Sequence, residues 1–236
     1  MRREIADAEQ RQFLLALDTA TNLASIALYD GWRVIAEHSW HSDRRHTVEL
    51  TPNVYAMLRQ AGVQPAQLSG VVVALGPGSF TGLRVALSLA KGMTLAIGAA
   101  LLGIPTLDII AYPYQWQSLP VCAVIQAGRG RLCWALYRRD QEGWRTTSGY
   151  RLSEIDDLAG EITELTLFSG EILPQNADRL RELLGNRFQL APPAMRLRRA
   201  GILAELGWAR YQAGDVDDPT TLSPIYLHEP PPGKVS

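Results

Sequence analysis

The chain has 236 residues, 47% of them hydrophobic, and a formal net charge of −1 at pH 7. A chain of this size and composition buries a sizeable core, and its near-neutral charge excludes a global field that attracts nucleic acid or anionic membranes. The polar N-terminus, the two cysteines and the lack of any apolar run approaching the ~18 residues of a membrane span predict a cytoplasmic protein without membrane association or a disulfide framework.

The first half of the chain predicts a lobe of strands and helices behind a disordered tail of residues 1–11. Asp30–Gly31 is a hairpin signal between two predicted strands, and Gly62 ends the first predicted helix. The predicted strands are residues 13–17, 25–29, 34–37 and 71–75, and the predicted helices are residues 47–61 and 81–96.

The segment 71–92 is the most informative part of the sequence. An apolar strand runs into Gly76, Pro77 and Gly78, and Ser79 or Thr81 is expected to cap the helix that follows. A glycine-rich turn at a helix N-terminus is typical of anion binding, because free backbone N–H groups point at the ligand. The spacing matches neither the P-loop nor the dinucleotide fingerprint, so the turn alone names no ligand.

The helix after this turn has an unusually narrow polar stripe. Arg84, Ser88 and Lys91 form the stripe, and nearly all other positions are apolar or small. A surface helix normally has a wider polar face. Two interpretations stay open: a helix buried within its own domain, or a helix that also packs on a partner protein.

The second half of the chain repeats the pattern of an antiparallel hairpin followed by helix and strand. Cys122 and Cys133 flank the predicted hairpin turn as possible cross-strand neighbours and are expected to be reduced core thiols. Ser153 and Asp156 form a possible capping box. The predicted strands are residues 121–125, 132–137 and 165–168, and the helices are residues 175–184 and 200–212. Both halves together suggest a duplicated α/β unit.

The segment GPGSFTGLR (residues 76–84), followed by AKG (residues 90–92), closely resembles the signature of the TsaB (YeaZ) family. The resemblance continues through LALDTATNLASIALYDG (residues 15–31), HTVELTP (46–52), GIPTLDIIA (103–111) and LSPIYLH (222–228), and so covers most of the chain. Members of this family are non-catalytic subunits of the bacterial tRNA threonylcarbamoyladenosine synthase, and were formerly labelled glycoproteases.

The resemblance implies an α/β fold with two actin-like (ASKHA, ribonuclease H-like) lobes, each a mixed sheet with flanking helices. The N-terminal lobe is expected over residues 12–105 and carries the partner-binding helices. The C-terminal lobe is expected over residues 106–215, and a tail of residues 216–236 packs back on the lobes.

The resemblance also implies a vestigial nucleotide site. In actin-like ATPases an acidic residue after the first strand orients the metal on the phosphates, and Asp18 stands at that position here. Ala20 replaces a glycine common in those enzymes, and Gln126 lies near a position where related proteins carry aspartate, so a working Mg²⁺–ATP site is not expected. A simple Asx-type turn at Asp18 is an equal alternative. The residues implied for the vestigial site are Asp18, Thr19, Gly128 and Gly170.

No catalytic or metal-binding residue is predicted. The catalytic paralogue carries an HxxxH pair after a Gly-x-Pro turn, and these positions fall on Ala111 and Gln115, which cannot ligate iron or zinc. Ser79 lacks the GxSxG spacing of a nucleophile elbow, so peptidase activity is not expected.

The resemblance implies that this chain binds and activates a TsaD-type catalytic subunit. That subunit transfers threonylcarbamoyl to the adenosine next to the anticodon, a TsaE-type ATPase completes the assembly, and tRNA is reached through the complex. The chain itself needs no cofactor, whereas the assembled complex uses ATP, and the chain alone is expected to form a homodimer. Gly82→Leu or Ala86→Arg is expected to leave the fold soluble and block the complex. The predicted partner surface is Leu50, Val54, Gly82, Arg84, Ala86 and Ala90.

Two alternatives remain at this point. The first is an actin-like ATPase or phosphotransferase that acts on its own through Asp18 and the two glycine-rich turns. The second is an α/β protein that only associates with itself. Measurement of ATP binding and hydrolysis by the purified chain distinguishes the hypothesis of an enzyme from that of a non-catalytic subunit.

Overall fold

The computed structural model describes residues 12–43, 45–128, 130–141 and 143–227. These residues divide into two compact units. The first unit consists of the described residues up to Ile104 together with Arg199–Pro224, and the second consists of Pro105–Arg198 together with residues 225–227. The predicted tail of residues 1–11 and the end of the predicted C-terminal tail lie outside the described residues.

The first unit contains a five-stranded sheet with three helices. Every residue of its central strand, Phe13–Asp18, is buried, as expected for a strand with neighbours on both sides and helices packed on the sheet. The strands are β1 (Phe13–Asp18), β2 (Leu23–Tyr29), β3 (Val34–His41), β4 (Leu68–Gly76) and β5 (Ala100–Pro105). The helices are α1 (His46–Ala61), α2 (Phe80–Ile97) and, near the end of the chain, α6 (Ala200–Gln212).

The second unit contains the other sheet, with apolar clusters on its two faces. The strands are β6 (Val121–Gln126), β7 (Leu132–Asp140), β8 (Gly143–Thr146), β9 (Arg151–Ser153), β10 (Thr166–Gly170) and β11 (Phe188–Leu190). The helices are α3 (Thr106–Ala111), α4 (Ile155–Gly160) and α5 (Pro174–Leu184).

The two sheets have the same connectivity. The first has the order β3-β2-β1-β4-β5, and the second, taken from its hairpin edge, has the order β8-β7-β6-β10-β11, with β9 also paired to β7. In each, three strands pair antiparallel in sequence order, and the first of them pairs on its other side with a parallel strand, β4 or β10. This repeat confirms the predicted class of two mixed sheets with flanking helices.

Helix α6 belongs to the first unit, which corrects the predicted lobe of residues 106–215. The helix packs on β1 and β2. Its N-terminus is held by two side chains of that sheet: the Ala200 N–H donates to Ser25 Oγ at 3.0 Å, and the Gly201 N–H donates to Glu37 Oε1 at 2.7 Å. A carboxylate there satisfies a free N–H group and complements the helix dipole, so these contacts fix α6 on the first sheet.

The inner face of helix α2 contributes to the core of the first unit. Judged only by length and composition, α2 is long and apolar enough to cross a membrane, and it is the one described helix that is. This finding corrects the expectation that the chain has no apolar run approaching the length of a membrane span. A core helix passes the same test. Leu83, Ala86, Leu87 and Ala90 are buried, and the helix packs on β4 and β1. Packing against the sheet therefore explains the apolar residues of the inner face of α2, whereas Phe80 and Leu95 are exposed.

The two cysteines are not cross-strand neighbours, which corrects the sequence-based expectation. The β6–β7 register places Cys133 opposite Ile125 and Cys122 opposite Leu136, and the two thiols lie in apolar clusters on different faces of the sheet. Both are free and buried. Burial raises the pKa of the Cys133 thiol to about 11 and raises that of Cys122 further.

We expect neither thiol to react with Ellman's reagent in the native protein at pH 8, because the reactive thiolate is suppressed and access is blocked. In strong denaturant both should react. Rapid reaction of one thiol with the reagent in the native protein would show that its face of the sheet is open to solvent and contradict its burial.

Candidate functional site

The turn after β1 is buried and closed by its own hydrogen bonds. Asp18 and Thr19 are 0% and 1% exposed. The Ala20 N–H donates to Asp18 Oδ1 at 2.9 Å, the geometry of an Asx turn, and the Thr19 hydroxyl donates to the Gly82 carbonyl at 2.7 Å. Both polar side chains are therefore engaged within the first unit.

The glycine-rich turn packs directly on the β1–β2 turn. The Ser79 N–H donates to the Ala20 carbonyl at 2.6 Å. A Cβ at Gly78 would lie 2.4 Å from that carbonyl oxygen, and a Cβ at Gly82 would lie 2.0 Å from the Thr19 carbonyl oxygen. No side chain fits at these distances, so glycine is required here for close approach of two backbone segments.

This packing explains the glycine-rich motif without an anion. Ser79 caps α2 as expected, since its Oγ accepts the Gly82 N–H at 3.2 Å. The N–H groups of Ser79 and Gly82 are thus bonded to oxygens of the protein itself. The sequence pattern predicted a helix N-terminus correctly, but two of its donors hold the fold together.

The other two residues of the predicted vestigial site lie in the second unit. A Cβ at Gly170 would lie 2.1 Å from the Val124 carbonyl oxygen, so this glycine, too, allows close backbone packing. Gly128 is exposed. The Gln126 amide donates to the Glu171 carbonyl at 2.8 Å and so holds the turn that follows Gly170. Gln126 thereby acts as a neutral hydrogen-bonding residue of this turn.

Five of the six residues predicted to contact a partner are buried. Arg84 is exposed, and its guanidinium lies 3.7 Å from the centroid of the Phe80 ring. The buried residues pack within the first unit, which corrects the prediction that they form an accessible surface. They are Leu50, Val54, Gly82, Ala86 and Ala90. The apolar spacing indicated the inner faces of α1 and α2, because core positions and interface positions share one helical period.

The opposite faces of the same helices are exposed and partly apolar. On α2 the exposed stripe combines two large apolar side chains, Phe80 at 55% and Leu95 at 70% exposure, with small or polar residues. On α1 the exposed large hydrophobic side chains are Val48 and Tyr55. We call the exposed residues of α2 the α2 outer face: Phe80, Thr81, Arg84, Ser88, Gly92, Leu95 and Ala96.

A carboxylate with two tyrosine partners was not predicted from the sequence. In the second unit, Asp108 Oδ1 accepts the Tyr137 hydroxyl at 2.5 Å and the Tyr150 hydroxyl at 2.8 Å. Burial raises the pKa of Asp108, although the two hydrogen bonds act in the opposite direction. These residues lie 42 positions apart at most, and no local motif marks them, so the sequence carries no signal for the cluster.

The raised pKa of Asp108 predicts a pH-dependent contribution to stability. In the unfolded chain this group titrates near 3.8, and in the folded protein it titrates higher. The folded state therefore holds the proton more tightly, and stability is lost as the pH rises from about 4 through the folded pKa. In urea unfolding, we expect Asp108→Asn to gain stability relative to the native protein as the pH rises through that window.

Asp156→Asn is the matched control for Asp108→Asn, because the Arg179 hydrogen bond lowers the pKa of Asp156. The effect of Asp156→Asn should be small, because the carboxylate is on the surface, and it should have the opposite pH dependence. The native protein loses the stabilising contribution of Asp156 as the pH falls. A pH-independent difference between Asp108→Asn and the native protein would contradict the expected shift.

Two further features bear on ligands. A pocket of about 390 Å³ in the second unit is lined by Trp134, Tyr150, Arg151, Leu152, Ser153, Asp157, Glu161, Tyr226 and Leu227. The predicted site residues are not among them. Within the part of the chain that the structure describes, His, Cys, Asp and Glu side chains form no group of three or more placed to hold a metal ion.

Comparison with known proteins identifies the family. The sequence profile of the family described as "TsaD: tRNA N6-adenosine threonylcarbamoyltransferase" matches residues 34–188, more than half of the chain. The tRNA threonylcarbamoyladenosine biosynthesis protein TsaB of Escherichia coli K12 is 35% identical over 133 residues, which cover 55% of this chain and 57% of the relative. The TsaB of Bacillus subtilis 168 is 28% identical over 217 residues, covering 91% and 93%.

The fold agrees with this assignment. The solved structure of YeaZ from Pseudomonas aeruginosa is similar with a TM-score of 0.74 at 24% identity, over 92% of this chain and 100% of that one. The glycine-rich segment that carried the resemblance lies inside the region matched by the family profile. By sequence and by fold, this chain belongs to the TsaB (YeaZ) family.

Proposed function

We propose that this chain is a non-catalytic subunit in the synthesis of threonylcarbamoyladenosine in tRNA, acting in the cytoplasm. It binds and activates a TsaD-type catalytic subunit, and a TsaE-type ATPase completes the assembly. The observation that carries the proposal is family membership, because relatives that match over most of the chain are named for this biosynthesis.

The state of the β1–β2 turn supports a role without catalysis. Asp18 and Thr19, the residues that an actin-like ATPase would direct at phosphates, are buried and hydrogen-bonded to the chain itself. Access to them requires separation of the turn from the start of α2, where Gly82 contacts Thr19. On this basis we propose that this chain needs no cofactor of its own and that ATP is used by the assembled complex.

The α2 outer face is the surface that we assign to the partner. Phe80 and Leu95 supply apolar area near its two ends, while Ser88 and Gly92 let another helix approach closely. Arg84 adds a cation stacked on Phe80. In the absence of the catalytic subunit, the same face serves a homodimer, which buries these side chains in a second copy.

The test is co-purification with the TsaD-type protein of the same genome, followed by a tRNA modification assay with and without this chain. A stable heterodimer whose activity depends on this chain is the expected result. If no complex forms and this chain alone hydrolyses ATP with Mg²⁺, the proposal fails and the alternative of an independent actin-like ATPase takes its place.

A further inference from the structure

Trp116 displays its ring on a hydrogen-bonded turn of the second unit. The side chain is 82% exposed. The backbone around it is held by bonds from the Gln115 N–H to the Tyr112 carbonyl at 3.1 Å and from the Gln117 N–H to the Tyr114 carbonyl at 3.2 Å. The Gln117 amide then bonds both the N–H and the carbonyl of Leu119, at 2.7 and 2.6 Å. The backbone that carries this exposed aromatic ring is thus held by hydrogen bonds.

Arg139 of β7 lies beside this ring and is held in place by neutral groups. Its guanidinium is 5.4 Å from the ring centroid, its Nε donates to the Gln115 carbonyl at 2.9 Å, and an Nη contacts the Gln115 side-chain oxygen at 3.4 Å. Among the described residues no carboxylate pairs with it. The neighbouring Arg138, by contrast, is paired with Glu164. The positive charge of Arg139 therefore stays available to an anion.

A second exposed tryptophan–arginine pair shows the contrast within the same chain. Trp32 is 89% exposed on the β2–β3 turn of the first unit, next to Arg33. Arg33 is paired with Asp30, with Nε and Oδ2 3.5 Å apart. Exposure of a tryptophan alone therefore does not single out Trp116, but an exposed ring beside an uncompensated guanidinium does.

We propose that Trp116 and Arg139 bind an unpaired nucleotide of the RNA substrate, with the base stacked on the indole and a phosphate on the guanidinium. Unpaired RNA bases are recognised by stacking on aromatic side chains, and arginine matches the geometry of a phosphate. The identity of the RNA as tRNA rests on the proposed function. The site adds a direct RNA contact to a subunit whose main role is to bind a protein.

The test is the affinity of a fluorescently labelled substrate tRNA for this chain and for its complex with the TsaD-type subunit. We expect Trp116→Ala and Arg139→Gln each to weaken binding about 10-fold, and Trp116→Phe to retain most of the affinity because it keeps a stacking face. Arg139→Gln should also lower the slope of log affinity against log salt by about 1, whereas Trp116→Ala should leave it unchanged.

Trp32→Ala and Arg33→Gln are the matched controls, and neither should change the affinity. Unchanged binding by the Trp116 and Arg139 variants, equal losses in the controls, or no RNA binding by native protein and complex would each overturn the site. Loss of the protein complex in place of RNA binding would also overturn it, in favour of a protein contact. The affinity of the chain alone for RNA is measured separately from heterodimer formation. Failure of the RNA site can therefore be distinguished from failure of the proposed function.

Discussion

Replacement of Gly82 by alanine should lower the free energy of unfolding by about 3 kcal/mol or more. The added methyl would lie 2.0 Å from the Thr19 carbonyl oxygen, and this neighbour is backbone between β1 and β2 that cannot rotate away. Its displacement also breaks the bond from the Thr19 hydroxyl to the Gly82 carbonyl. Urea unfolding followed by far-ultraviolet circular dichroism measures the loss.

Gly92→Ala in the same helix is the matched control. Gly92 is exposed and a Cβ there meets nothing within 4 Å, so this change should stabilise the protein by about 0.5–1 kcal/mol through helix propensity. Opposite effects of two glycine-to-alanine changes in one helix are expected if Gly82 packs against the Thr19 carbonyl and Gly92 faces open space. Gly82→Ala with native stability would show that the two turns do not pack in this way. The same contact makes the sequence-based expectation that Gly82→Leu stays folded untenable.

A charge on the α2 outer face should prevent assembly while leaving the fold intact. Leu95→Glu places an unpaired carboxylate on a side chain that is 70% exposed in the single chain. If this face is covered by the TsaD-type subunit, the carboxylate is desolvated there, and we expect heterodimer affinity to fall about 30-fold or more. Analytical ultracentrifugation or titration calorimetry with the purified partner gives the dissociation constant.

Trp32→Glu controls for charge and exposure, since Trp32 is 89% exposed in the same unit but lies on the β2–β3 turn. It should assemble normally, and both variants should keep the native melting temperature. A Leu95→Glu variant that binds the partner with native affinity would remove the α2 outer face from the interface and direct the search to Val48 and Tyr55 on α1.

Local sequence patterns predicted the regular elements well where periodicity and end signals agreed. The helices predicted over residues 47–61, 81–96 and 200–212 are α1, α2 and α6 to within a residue at either end. The short edge strands β8, β9 and β11 were not predicted, because three or four residues carry too little pattern. The capping box at Ser153 was wrong, since its Oγ accepts the Trp134 indole N–H and donates to the Glu154 carbonyl.

The candidate site was harder to predict than the elements. Hydrophobic periodicity marks the face of a helix that leaves water, and it does not say whether a sheet or another protein covers that face. Leu50, Ala86 and Ala90 were therefore placed on a partner surface, although they lie in the core. Which face of α2 is exposed, the one with Phe80 and Leu95, is decided by the packing of the helix on β4.

The sequence by itself determined the family, the mixed α/β class and the glycine-rich turn before α2, because motif spacing and local propensity are written in consecutive residues. Only the tertiary structure decided what the glycines are for: Gly78 and Gly82 meet the carbonyl groups of Ala20 and Thr19, about sixty residues earlier in the chain. It also decided that α6 returns to the first sheet and that Asp108 meets two tyrosines. Each of these is a contact between segments far apart in the chain, set by packing and burial, which no local pattern encodes.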